Sequence, residues 1–302
     1  MSIVDGKTVL VTGGTGSIGT EIVRALLKRN PKEVRVLARS EASHYKLMSE
    51  FKQVFHSYGD VSRVEDMRRA AKGVDFIIHA AAMKHVPECE KFPIVACRTN
   101  IQGALNVLDA ALYWGVERVV GVSTDKACLP SSVMGTTKLL MEKMFAEDNR
   151  NCVRLGNVVP SVGSVFPLWR KQINGGGPVT ITDPAMTRFL IRIQDAAEFI
   201  LACLEYAEPG EIWIPRIKAA SMIDVANTMI GHVSVGYKVI GPRPGEITHE
   251  RMFSKEESLR VQQVNDHFVL LGQPVSNTCE FDYISNRNLM SGDELAKLLE
   301  GV

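Results

Sequence analysis

A chain of 302 residues with 45% hydrophobic and 23% charged residues can build one large core, or a nucleotide-binding domain plus a smaller lobe. The formal net charge of +1 excludes a global field that would draw in nucleic acid or an anionic membrane. A small phosphorylated ligand stays open, because local backbone dipoles can hold phosphate without a basic surface.

No apolar run approaches the ~18–20 residues of a membrane helix. The N-terminus has no basic segment followed by an apolar core, and the first strand begins too soon after Met1 for an anchor. The expectation is a cytoplasmic protein with no nucleic-acid or membrane partner. Cys89, Cys97, Cys128, Cys152, Cys203 and Cys279 form no CxxC pair and read as reduced thiols. No metal is expected, since His79 and His85 lack partner cysteines at ligand spacing.

In chain order, residues 8–11 read as a buried strand and 17–29 as a helix with Ile18, Ile22, Val23, Leu26 and Leu27 on one face. Asn30-Pro31 stops that helix. Further strands are predicted over 34–38, 54–58, 76–80 and 119–123, with helical patterns between them. This βαβα series implies a parallel sheet covered on both faces. Near Val158 the texture changes to loops and short strands, with Gly175-Gly176-Gly177 and Asp183-Pro184 as turn signals. Residues 195–206 read as a helix that returns to the main sheet, and the remainder as mixed α/β.

Thr12-Gly13-Gly14-Thr15-Gly16-Ser17-Ile18-Gly19 lies between the first strand and the first helix. Gly13 permits the sharp turn, Gly16 permits close approach of a pyrophosphate, and Gly19 permits close packing of the helix. The helix start then offers N–H groups to the phosphates, so Thr15, Ser17 and Ile18 join the glycines as cofactor candidates. The fold class is therefore α/β: a doubly wound parallel Rossmann sheet with a smaller, interleaved C-terminal α/β substrate lobe. Residues 1–157, with a returning segment at about 188–214, form the dinucleotide-binding domain; 158–187 and 215–302 form the substrate lobe.

At the end of the second strand, Arg39 and Ser40 suit a 2′-phosphate and favour NADP, while Glu41 could still serve NAD. Arg39 as a plain surface residue is the alternative. Asp60 and Val61 follow the third strand; Asp60 is placed for an adenine amino group, or simply forms a turn after Gly59. Ala80, Ala81 and Ala82 end the fourth strand with small residues against which a cofactor can lie.

The fifth strand ends in Ser123-Thr124-Asp125-Lys126, at the edge that faces the ligand crevice. Four residues before Lys138, where short-chain dehydrogenases carry a proton-transferring Tyr, stands Met134. Either catalysis is lost or acid–base work has moved. Asp125 and Lys126 supply a carboxyl and an amine that a partly desolvated site could tune toward neutrality. An incidental surface pair is the bland alternative.

Ser-Thr-Asp-Lys-Ala at 123–127, followed by Met134-Gly135-Thr136-Thr137-Lys138, resembles the UDP-N-acetylglucosamine 4,6-dehydratases of capsule and glycoprotein-sugar synthesis, in the extended short-chain dehydrogenase/reductase family. The resemblance spans most of the chain. It includes 12–19, 79–87, Thr99-Asn100, Gly156-Asn157-Val158, 163–165, 183–189 and Arg243-Pro244-Gly245-Glu246. The Thr-Asp-Lys and Met-Thr-Arg-Phe elements are specific to this subgroup; the glycine loop is not.

The resemblance implies internal hydride transfer from C4 to C6 of a UDP-sugar on bound NADP, with proton removal at C5 and possible inversion there. It assigns Lys126 as base at C5, Asp125 as acid for the C6 hydroxyl, Thr124 to the C4 hydroxyl and Lys138 to the nicotinamide ribose. Lys84 and Asn100 enter as cofactor residues. Lys84, His85, Asn157 and Arg188 enter as substrate residues, with Arg243 on the diphosphate and Glu246 on the uridine ribose. A salt bridge between lobes is the alternative for Arg188. Relatives assemble as dimers or hexamers, so a homo-oligomer is expected. This chain departs from the pattern at Leu155, Val162 and Ile247, where relatives often carry Tyr, Arg and Lys. Rival readings are a nucleotide-sugar 4-epimerase, which normally needs the missing Tyr, and a silent NADP-binding sensor or scaffold.

Overall fold

A computed structural model describes residues 2–300. The first half runs β1 (Thr8–Thr12), α1 (Ser17–Leu27), β2 (Glu33–Ala38), α2 (Glu41–Glu50), β3 (Phe55–Tyr58), α3 (Val64–Ala71), β4 (Phe76–His79), α4 (Val86–Lys91), α5 (Pro93–Cys97), α6 (Gly103–Trp114), β5 (Arg118–Thr124), α7 (Val133–Glu147) and β6 (Asn151–Leu155). The second half runs β7 (Asn157–Val159), α8 (Val165–Asn174), β8 (Val179–Ile181), β9 (Thr187–Arg192), α9 (Ile193–Tyr206), β10 (Ile212–Pro215), β11 (Ala219–Ser221), α10 (Met222–Ile230) and β12 (Tyr237–Val239). It ends with β13 (Arg251–Phe253), α11 (Lys255–Ser258), β14 (Val261–Val264), β15 (His267–Leu270), β16 (Tyr283–Ile284) and α12 (Gly292–Leu299).

The main sheet has the order β14-β15-β10-β6-β5-β4-β1-β2-β3. From β10 to β3 all pairings are parallel. The order reverses at β1 and β4, which opens a crevice at their C-terminal ends. Every residue of β1 and β4 is buried, as expected for strands covered on both faces. One face packs Leu10, Ile77, Val107, Ala110 and Phe145 under α3, α6 and α7. The other packs Val9, Val11, Ile22, Leu26, Ile200 and Leu204 under α1 and α9. The helix read over 195–206 thus returns to the sheet beside α1, two residues longer at its start. The first helix stops at Leu27, shorter than read, and Asn30 then turns the chain at φ +54°.

A second core joins Phe166, Trp169, Ile181, Met186, Val225 and Leu295 across α8, β8, β9, α10 and α12. The β7-β9-β11 sheet connects this lobe to the main body. The segment 215–302 does not stay in the small lobe, contrary to the sequence reading. Its β14–β15 hairpin pairs antiparallel with β10 and completes the main sheet. The open edge of the buried β10 needs a partner, and Phe268 and Leu270 bring apolar surface to the same core. Of the six free thiols, Cys89, Cys128, Cys152 and Cys203 are buried. Burial raises the pKa of each, so they act as small apolar fillers.

Behind the sheet, Arg154 and Glu142 are both fully buried. Arg154 Nη2 donates to Glu142 Oε2 at 2.6 Å, and Nη1 donates to Glu257 Oε2 at 2.8 Å. Ser123 Oγ also donates to Glu142, at 2.6 Å. This network fastens the C-terminal segment to β5, β6 and α7. Replacing Arg154 by Leu would strand a buried carboxylate. We expect a loss of about 3–5 kcal/mol in urea unfolding; a loss under about 1 kcal/mol would show that the network is dispensable.

Candidate active site

The glycine loop is held by contact, not by sequence bias alone. Gly13 sits at φ +68°, and a Cβ there would lie 2.7 Å from the Ala81 Cα. The α1 N-cap is Gly16, with no side-chain cap, so the first N–H groups of the helix remain available to an anion. Gly13, Thr15, Gly16, Ser17 and Ile18 line a cavity of about 940 Å³ at the C-terminal edge of the sheet. Gly19 does not line it. A Cβ there would stand 2.2 Å from Gly13 O, so Gly19 closes the helix onto its own loop rather than touching a ligand.

Arg39, Ser40, Asp60, Val61, Ala80, Ala81, Ala82 and Lys84 line the same cavity. Arg39 is 66% exposed and lies 3.5 Å from Asp60. Ser40 caps α2 through Ser43 N–H at 3.2 Å. Asp60 also accepts from the N–H and hydroxyl of Ser62 at 2.9 and 2.8 Å, so it forms the turn as well as facing the cavity. Asn100, expected at the cofactor, is buried away from the cavity in a π-helical turn (Arg98–Gln102). It accepts from Met83 N–H at 2.7 Å and donates to Met83 O at 3.0 Å and Thr137 Oγ1 at 2.9 Å. Its amide is fully engaged in tying the strand-four loop to α7. Across the cavity mouth, Val162 accepts from Lys84 Nζ at 2.9 Å and donates its N–H to Ser17 Oγ at 2.9 Å.

The reacting end forms where β5 meets α7. Thr124, Lys126, Met134 and Lys138 line the cavity, but Asp125 does not. Asp125 is fully buried beneath Lys126. Its Oδ1 accepts from Thr124 Oγ1 at 2.8 Å and Lys126 Nζ at 2.9 Å, while Oδ2 is buried without a partner. A carboxyl that meets substrate directly was expected at this position; the short side chain instead points into the protein. Lys126 is also not tuned toward neutrality. Burial, the largest influence, lowers its pKa, but the adjoining Asp125 and Glu250 carboxylates together hold it above its ordinary value. Lys138 differs: burial brings it down to about 8, although Glu142 opposes the shift. Its Nζ donates to Val122 O at 2.7 Å. Met134 is 5% exposed and carries no exchangeable proton.

His85, Asn157, Arg188, Arg243 and Glu246 complete the opposite wall. Asn157 Oδ1 accepts from Lys126 Nζ at 3.2 Å. Arg243 N–H donates to Glu246 Oε2 at 3.1 Å, which closes their loop. Arg188 Nη1 donates to the carbonyls of Thr187 and Thr248 at 2.8 and 3.1 Å. Sequence reasoning missed Glu250, which lines the cavity 3.2 Å from Lys126 Nζ and 3.6 Å from Arg188 Nε. The only signal was a second Glu four residues after Glu246, and nothing in the spacing marks it as inward-facing.

The parallel sheet, the glycine cradle and a crevice with an ammonium between carboxylates define a Rossmann-fold enzyme of the extended short-chain dehydrogenase type. The chain belongs to the polysaccharide biosynthesis protein family, which it matches over residues 9–271. It is 39% identical to a UDP-N-acetylglucosamine 4,6-dehydratase (inverting) of Campylobacter jejuni, over 87% of this chain and 82% of that one. It is 38% identical to a UDP-glucose 4-epimerase of Rickettsia bellii, again over 87% and 82% of the two chains. The X-ray structure of Pen from Bacillus thuringiensis superposes with a TM-score of 0.95 at 32% identity, covering 99% of this chain and 98% of that one. These relatives place the chain among nucleotide-sugar dehydratases and epimerases.

Lys138 offers a test of the site's electrostatics. Its folded pKa of about 8 lies below the ordinary 10.5, so the unfolded chain binds more protons between those values. Stability from this group therefore rises with pH across that window. The stability of the wild type relative to Lys138→Met should rise by roughly 1–3 kcal/mol between pH 7.5 and pH 10. A difference that stays flat would show that Lys138 titrates normally.

Proposed function

We propose that the protein is a 4,6-dehydratase that converts UDP-N-acetylglucosamine to its 4-keto-6-deoxy derivative with a tightly used NADP. The observation that carries this reading is the Lys126 ammonium, set within 3.2 Å of two carboxylates at the end of β5, where Met134 supplies no proton. The residues present fit a dinucleotide: Gly13, Thr15, Gly16, Ser17 and Ile18 line the cavity, and the uncapped α1 start offers N–H groups to a pyrophosphate. Arg39, exposed and paired only at 3.5 Å, is free to engage a 2′-phosphate, which supports NADP over NAD.

Bound NADP supplies the hydride acceptor for C4 and the donor for C6. The chain's own residues handle protons and position. Thr124 bonds the C4 hydroxyl. Lys126, once it has lost its proton, removes hydrogen from C5, which the 4-keto group acidifies. Lys138 holds the nicotinamide ribose, Arg243 the diphosphate and Glu246 the uridine ribose. Lys84, His85, Asn157 and Arg188 surround the sugar. Whether C5 is inverted depends on the face from which its proton returns. The exposed Ile94, Leu105, Leu112 and Tyr113 of α5 and α6 support a homo-oligomer, dimer or hexamer.

A second reading, a nucleotide-sugar 4-epimerase, is favoured by the relatives of that name. Incubation with UDP-N-acetylglucosamine and NADP separates the two. We expect a 4-keto-6-deoxy product carrying solvent deuterium at C5. A C4 epimer without C5 exchange would support the epimerase, and no product at all would leave a silent binding protein. Arg39→Asp is expected to weaken NADP relative to NAD by about tenfold or more, equivalent to about 1.4 kcal/mol, in fluorescence titration. An unchanged ratio would remove Arg39 from cofactor choice.

A further inference from the structure

We propose that Glu250 is the acid that protonates the departing C6 hydroxyl, while Asp125 stores the proton released from the C4 hydroxyl through Thr124. The inference rests on the dehydratase reading and assigns its proton carriers. Its starting point is position. Of the two carboxylates that touch Lys126, Glu250 lines the cavity and Asp125 does not. Glu250 Oε1 faces Lys126 and Arg188, whereas Oε2 is buried with no hydrogen-bond partner. Asp125 Oδ2 is buried and unpartnered too, so cavity lining is what singles out Glu250, and an unpartnered oxygen on a carboxyl beside the cavity calls for a chemical role.

The carboxyl is held by a rigid backbone. Glu250 N–H donates to Ser285 Oγ at 3.0 Å, and Ser285 N–H donates to Glu250 O at 2.9 Å. Thr187 Oγ1 and Ser285 Oγ share a hydrogen bond of 2.6 Å, which anchors this corner to β9. Burial, ahead of the charges around it, raises the pKa of Glu250; Lys126 and Arg188 oppose the shift and Asp125 reinforces it. The neutral form needed by an acid is therefore accessible.

Proton counting then requires both carboxyls. Oxidation at C4, for which bound NADP would accept the hydride, requires the C4 hydroxyl to give up its proton. The absent phenol would have held it. Here the hydroxyl can donate to Thr124 Oγ1, which itself donates to Asp125 Oδ1 at 2.8 Å. The site now holds that proton plus the one Lys126 began with. Lys126 must nonetheless be a neutral amine to attack C5–H, so one proton resides on Asp125 and the other on Glu250. The Lys126 lone pair takes the C5 proton, and the C5–H electron pair becomes the C5–C6 double bond. The C6–O bond breaks, its oxygen takes the Glu250 proton, and water departs. Bound NADP would supply the hydride for C6, while Lys126 returns a proton to C5. The remaining proton moves back from Asp125 to Lys126, which regenerates the starting ion pair.

The test uses the full chain with NADP and two substrates, UDP-N-acetylglucosamine and its 6-deoxy-6-fluoro analogue, whose fluoride leaves with far less need of an acid. In Glu250→Gln, turnover of the natural substrate should fall on the order of 10²–10⁴-fold, with KM changed by less than about threefold. Reduced nicotinamide and 4-keto hexose should accumulate. On the fluoro analogue, that loss should shrink by at least about tenfold. Asp125→Asn should lose turnover equally on both substrates, because its task precedes C6 departure. Glu250→Asp, one methylene shorter, should show the same preference for the fluoro analogue at a smaller loss, and it decides the matter should the amide variant fail to fold. Turnover by Glu250→Gln within about threefold of wild type, or an equal loss on both substrates, overturns the assignment. Failure of the wild type to form any 4-keto-6-deoxy product would instead sink the dehydratase reading itself.

Discussion

The arrangement turns on one ammonium group. Lys126 Nζ lies within 3.2 Å of Asp125, Glu250 and Asn157. These come from the end of β5, from the segment just before β13, and from β7, so a single charge gathers three distant stretches of chain. Arg188, from β9, adds a second cation beside Glu250. Two buried carboxylates alone would repel one another and stay costly to ionise. Two cations among them make the cluster close to neutral and mutually satisfied. Removing any one member changes the protonation of the others, because each sits within a few ångströms of an opposite charge in a medium that screens poorly.

The cofactor side works by the opposite means. The chain's net charge is only +1, and the phosphate loop contains no lysine or arginine. Binding of a pyrophosphate there would rely on bare N–H groups at the start of α1, which the tight turn through Gly13 brings to the cavity. Close packing enforces the glycines: at Gly13 a side chain would strike Ala81, and at Gly14 it would meet Val36 at 2.7 Å. One half of the crevice is thus built from backbone dipoles and the other from side-chain charges, with Lys84 and Val162 bridging its mouth.

The difference between those halves explains what the sequence discloses. A phosphate loop is a local device, complete within a strand, a turn and a helix, so its residues are legible in order. The parallel strands are legible because burial on both faces demands continuous apolar runs such as Val9-Leu10-Val11 and Phe76-Ile77-Ile78. The charge cluster is non-local. Asp125 and Lys126 are neighbours in sequence, yet one is sealed and the other lines the cavity, because the turn after β5 sends their side chains in different directions. Glu250 reaches them only through tertiary pairing at Ser285 and Thr187. Asn100 looks like a ligand residue by position, but a π-helical turn aims it into the protein. The β14–β15 hairpin was hidden for a related reason: its place beside β10 is set by an edge that no local pattern describes.

Met134 carries the chemical consequence of this layout. A sugar 4-epimerase lends out one proton, from the C4 hydroxyl, and then returns it, so a single phenol can serve both halves of its reaction. A 4,6-dehydratase must hold that same proton while it also breaks a C5–H bond and protonates a leaving oxygen. Such a reaction needs more proton-carrying groups than one phenol offers, and one of them must be a base at the moment the others are filled. Carboxyl, amine and carboxyl in contact meet that requirement, since the amine can be emptied into its neighbours without any charge entering the low-dielectric crevice. On the proposed dehydratase reading, a thioether in place of the phenol would remove a competing site for the C4 proton and leave Thr124, bonded to Asp125, as the group through which it would pass.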